Sequence, residues 1–124
     1  MIRAALLLAL ITLTACDSGG GVSQADRQRT LTAARVGMDR VRALPGGKQA
    51  AFTEVRLVGT DTVCGRIDGR DGFGPRAFAS TAARVTLAHP GDPASEAAVA
   101  QACEGPSRTI TSRNEQFSDL DVAP

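Results

Sequence analysis

Residues 51–78, AFTEVRLVGTDTVCGRIDGRDGFGPRAF, decide the fold. They read as strand, turn, strand, glycine-rich loop and returning strand. Over 52–58, Glu54 and Arg56 alternate with Thr53, Val55 and Leu57, which gives one polar face and one carrying apolar side chains. Gly59, Thr60 and Asp61 form a turn, and 62–67 is the second arm of a hairpin. The run DGRDGFG, 68–74, is a loop. Two short strands come next at 76–81 and 84–88, the second with Val85, Leu87 and His89 facing away from Arg84, Thr86 and Ala88.

Upstream, 23–43 has the pattern of a helix. Ser23 and Asp26 form a capping box with Asp in place of the usual Glu. Leu31, Ala34, Met38 and Val41 make one apolar stripe, with Arg27, Arg35 and Arg42 off it. Gly37 weakens that helix by about 1 kcal/mol relative to Ala, and it marks close packing on a sheet. LPGG at 44–47 ends the helix. Downstream, HPGDP at 89–93 breaks the chain. Asp92 suits a helix cap and Pro93 the first helical position, so an alanine-rich helix is predicted over 92–103. Beyond it there is no strong periodicity, and 105–124 reads as a loose tail with RTIT, 108–111, as a candidate edge strand. The predicted fold is a small α+β domain over 24–104. An N-terminal helix packs on an antiparallel sheet of three to four strands, with a second short helix and one disulfide.

Composition limits the function. The chain has 14 Lys+Arg and 13 Asp+Glu, and only Arg3 falls within residues 1–15, so the remainder is neutral. A nucleic-acid partner would call for a basic excess, and none is expected. There is no Trp or Tyr and there are 4 Phe, so the core must be small and aliphatic. Domains of this size often need a covalent or metal staple.

The chain opens MIRAALLLALITLTAC. Arg3 precedes an uncharged, mostly apolar run over 4–15, too short for the roughly 20 residues of a membrane span but suited to a secretion signal. Its end, LTAC at 13–16, resembles the lipobox of bacterial lipoproteins: an aliphatic residue, two small residues and a cysteine. The resemblance implies cleavage of a signal peptide, 1–15, and acylation of Cys16, which then anchors the protein in lipid. Two or more acyl chains hold a protein stably at about 0.8 kcal/mol per buried methylene. Residues 16–23, which include GGG, then form a flexible tether. The expected location is the bacterial envelope, facing the periplasm. Asp17 favours the inner membrane, because an aspartate there is a retention signal in enteric bacteria. With Cys16 assigned to lipid, Cys64 and Cys103 remain as a pair in an oxidising compartment. Closing a loop of about 40 residues contributes roughly 4 kcal/mol in the chain-entropy model.

Catalytic, nucleotide and metal motifs each lack a required part. Gly72, Gly74 and Ala77 fit G-x-G-x-x-A, but Pro75 removes a donor and a strand rather than a helix is predicted next. A calcium loop starting at Asp68 would need oxygen ligands where Arg70 and Ala79 stand. His89 is the single histidine, and Cys64 has Cys103 as a better partner than His89 in a nucleophile pair. No cofactor or metal is expected. Residues 51–78 do resemble a small exported proteobacterial family of unknown function, with the pattern F-x-x-V, V-C-G-x-V-N-x-x-N-x-F-G-G-Y and a further phenylalanine. Phe52, Val55, Val63, Cys64, Gly65, Phe73, Gly74 and Phe78 match it. Asp68 and Asp71 stand where that pattern has asparagines, and Pro75 and Arg76 replace Gly-Tyr. The resemblance implies a shared structural unit and brings no activity. The expected role is a non-enzymatic binding or interaction module, held to membrane lipid by Cys16 and meeting an envelope protein partner. The alternative is an inhibitor or small-ligand module whose interaction loop presents Asp68, Arg70, Asp71 and Arg76, and an enzyme using Cys64 and His89 comes third.

Overall fold

The computed structural model describes residues 23–69 and 74–124. Helix α1 spans Gln24–Arg42 and a single 3-10 turn Gly47–Gln49. The strands are β1 Ala51–Val58, β2 Thr62–Asp68, β3 Arg76–Ser80, β4 Val85–Leu87, β5 Ser107–Ser112 and β6 Leu120–Val122, with helix α2, Pro93–Ala102, between β4 and β5. They form one six-stranded sheet in the order β4-β3-β2-β1-β5-β6, antiparallel at every pairing. The expected α+β architecture with two helices and the Cys64–Cys103 disulfide is present. The sheet is larger than the three to four strands expected, because 107–112 and 120–122 extend it beyond β1.

Helix α1 covers one face. Ser23 Oγ accepts from the Asp26 amide at 3.2 Å, satisfying one of the first-turn N–H groups that no helix can pair internally. The stripe read from the sequence faces the sheet: Ala34, Met38 and Val41 are fully buried, with Leu31 packed at the margin. They meet Phe52, Val55, Leu57, Val63, Ile67 and Phe78. Phe52 and Phe78 pack edge to face with centroids 5.7 Å apart, an arrangement that adds about 0.5–1.5 kcal/mol beyond area burial. Contact is closest at Gly37. A Cβ there would lie 2.8 Å from Val63 Cβ and nearer still to Val63 Cγ2. The fully buried Ser80 donates its Oγ proton to the Gly37 carbonyl at 2.8 Å. Val63 and Ser80 are cross-strand partners, so α1 is seated on the β2–β3 pair.

The alternation read over 52–58 breaks in the middle. Thr53 pairs with Arg66 and Arg56 with Cys64, so Glu54 and Val55 together stand opposite Gly65. This is a β-bulge, and Glu54 takes a left-handed φ of 52°. The extra residue puts Phe52 and Val55 on the same face and leaves Thr53 exposed rather than inward. Gly65 permits it: a Cβ there would stand 3.0 Å from the Thr53 carbonyl oxygen and 3.2 Å from the Phe78 ring.

The expectation of a loose tail over 105–124 is corrected by β5 and β6; RTIT does form a strand, within β5, but between β1 and β6 rather than at an edge. Few of their side chains are apolar, and their order comes from distant partners. Ser107, Arg108 and Thr109 pair with Val58, Leu57 and Arg56 of β1, and Ile110 and Leu120 enter the α1 core. Along α1, Arg27 pairs with Asp121, and the buried Thr30 accepts from Arg108 Nη1 at 2.9 Å. At the other end Arg42 donates to the carbonyls of Gln116 and Phe117 while lying over the Phe52 ring, 5.1 Å from its centroid. Phe117 packs on Phe52 at 6.1 Å.

Asp121 ties β6 to pH. The Arg27 hydrogen bond, then the Val122 amide, hold its carboxyl below the ordinary 3.8. A group whose pKa is lowered on folding stabilises the native state above the unfolded value, and that contribution is lost as pH falls through the native value. In an acid titration followed by NMR, Leu120–Val122 is expected to leave its native shifts below pH 3.8 ahead of β1 and β2. Asp121→Asn should remove that early transition. An identical acid profile in the variant would show that Asp121 plays no part.

Candidate functional site

On the face opposite α1 the sheet carries a thinner layer. Val99 is the one buried residue of α2, and it packs with Val58, Cys64 and Ala79. Asp92 caps the helix, its Oδ1 accepting from the Ala94 amide at 3.2 Å, and Pro93 begins it. The main-chain N–H of His89 donates to Ser95 Oγ at 2.8 Å, fixing the turn before the helix. The C-terminal end is bonded to the sheet by Cys64–Cys103, with Cα atoms 6.1 Å apart. Cys64 is fully buried in β2 and Cys103 half-buried.

Between α2 and the strands lies an open groove of about 500 Å³. Its floor includes Cys64, Cys103, Ala77 and Val99. Arg56 and Arg66 stand on the β1–β2 side, and Glu96 on the helix side; Glu54 and Arg76 also line it. Neither Arg56 nor Arg66 forms an ion pair with another described residue. On α1, Arg27, Arg29 and Arg42 each have an aspartate partner, while Arg35 and Arg40 have none among the described residues. Arg76 Nη1 donates to His89 Nδ1 at 3.1 Å. Guanidinium has no acceptor, so Nδ1 is the unprotonated ring nitrogen in this contact.

The chain matches no known protein family, curated protein or solved structure.

The candidate residues of the sequence divide into three groups. Cys64 and Cys103 form the disulfide at the groove floor, so Cys64 offers no thiolate to His89. Asp68 is exposed at the end of β2, outside the groove, while Arg76 opens β3 and forms part of the groove wall. Arg70, Asp71 and Cys16, with 1–15 and the tether as far as residue 22, lie outside the described residues. Strand β3 comes directly after the glycine-rich run, so the dinucleotide pattern lacks the helix whose N-terminus would hold a pyrophosphate. Among the described residues no three His, Cys, Asp or Glu side chains cluster in a way that could hold a metal. Arg56 and Arg66 are not among the sequence candidates. The clue to them is their flanking of Cys64: once the turn at 59–61 sets the hairpin and Cys64 is tied to Cys103, they must lie beside α2.

Replacing both half-cystines by alanine is expected to lower stability by about 2–5 kcal/mol in urea denaturation. Amide exchange should rise most in α2 and least in β1 and β2. A uniform rise would show that the disulfide does not act chiefly by holding α2.

Proposed function

We propose that the protein is a lipid-anchored lipoprotein of the bacterial envelope, facing the periplasm, whose folded domain is a binding or interaction module rather than an enzyme. The observation that carries this reading is the Cys64–Cys103 disulfide, which accounts for two of the three cysteines and leaves Cys16 within its lipobox-like LTAC. Disulfides persist in oxidising compartments, which agrees with export. The run 17–23 would span at most about 25 Å when extended, which keeps the start of α1 close to the bilayer. Asp17 favours the inner membrane. The open groove beside α2 supports the binding role, since its volume falls in the range of small-ligand sites, about 300–1,000 Å³.

An inhibitor role for the 68–76 connection is the second reading. It is favoured by the exposure of Asp68, which leaves that carboxylate free to meet a partner.

Metabolic labelling of the full chain with radioactive palmitate is expected to mark the wild type and not Cys16→Ser. Undiminished labelling of the variant would end the anchor reading.

A further inference from the structure

We infer that the groove beside α2 binds an oxyanion, carboxylate or phosphate, carried on a small apolar body, with Arg56 and Arg66 as its clamp. This deepens the binding-module reading by naming the ligand chemistry.

The placement of the two arginines is the first reason. Arg56 is the cross-strand partner of Cys64, and Arg66 lies two residues further along β2, so both are on the disulfide face. The bulge opposite Gly65 lies between them, and both long side chains line the one groove. Two guanidiniums can then converge on one anion, and their planar donor forks match carboxylate and phosphate oxygens.

The second reason is the register of the hairpin. From the turn at 59–61 the pairing runs regularly through Val58–Thr62 and Leu57–Val63 to Arg56–Cys64, and Val55 and Leu57 enter the α1 core, so Arg56 stands on the disulfide face and lines the groove. The bulge lies beyond it and brings Glu54, at φ 52°, to the same groove.

The third reason is the charge and floor of the site. Arg56 and Arg66 have no counter-ion among the described residues, and the floor they flank is disulfide sulfur and small apolar side chains. A charged hydrogen bond made over such a floor is less diluted by water than one in open solvent. Glu96 and Glu54 border the same groove, so the remainder of the ligand must be neutral or cationic.

The test is an NMR titration of the full chain that monitors the arginine Nε–Hε resonances and the Val99 amide. The probes are N-acetyl-alanyl-alanine, its C-terminal amide and inorganic phosphate. Saturable shifts at Arg56, Arg66 and Val99 are expected with at least one oxyanion and not with the amide. A response to the peptide acid alone assigns a carboxylate ligand, and a response to phosphate alone assigns a phosphate. Arg56→Gln and Arg66→Gln should each weaken binding about tenfold or more; thermal melts would establish that both fold, and Arg66 is exposed. The proposal is overturned by no saturable shift with either oxyanion, or by binding that both folded variants leave unchanged. Neither result depends on whether Cys16 carries lipid.

Discussion

Helix α1 can lie against the sheet because position 37 has no side chain. The backbone of Gly37 rests on Val63, and Ser80 reaches up from the neighbouring strand to bond its carbonyl. From that seat Met38 and Val41 reach the Phe52–Phe78 layer. The same seat carries Arg42 to the 113–119 connection at one end of the helix. At the other end it carries Arg27 and Thr30 to β6 and β5. A helix held a residue's width further out would lose the buried core contacts and the polar ties that recruit the last two strands. The helical propensity sacrificed at Gly37, about 1 kcal/mol, is small beside the burial that it permits.

The two faces of the sheet do different work. The α1 face holds most of the buried apolar volume, including Phe52, Phe78, Met38 and Ile67. The α2 face is built of alanine, valine and a disulfide, and α2 contributes one buried residue to it. So thin a layer leaves a groove open beside the helix, and a covalent bond supplies the attachment that packing does not. The bulge in β1 lets Phe52 and Val55 share the core face, while the regular register from the turn sends Arg56 to the groove within the same strand.

Much of this was legible in the sequence because it is local. The cap at Ser23, the α1 stripe, the hairpin about Gly59, the Asp92–Pro93 helix start and the meaning of Gly37 all depend on spacing of a few residues. On the turn side the β3–β4 hairpin is shorter than read, with β3 ending at Ser80 and β4 starting at Val85, because Thr81 caps the turn by accepting from the Ala83 and Arg84 amides. Of the strands after 105, RTIT within β5 was legible and β6 was not. SRTITS has one buried side chain, Ile110, and is held by β1 and α1. The bulge was hidden for a similar reason: period-two reading of 52–58 assumes an unbroken ladder, whereas Gly65, on another strand, decides it. The groove draws on three strands and a helix that are far apart in sequence, whereas the described residues of the glycine-rich connection supply Pro75 and Arg76 to its wall.

The Gly37–Val63 contact sets the position of α1, and a double-mutant cycle measures it. Gly37→Ala should destabilise the wild-type background by about 1–3 kcal/mol, since overpacking outweighs the gain in helix propensity. In a Val63→Ala background, where the Cγ2 contact is gone and only the 2.8 Å Cβ approach remains, the penalty should shrink. The expected coupling between the two sites is about 1 kcal/mol or more. Additivity within about 0.5 kcal/mol, or a stabilising Gly37→Ala in the wild-type background, would contradict the account.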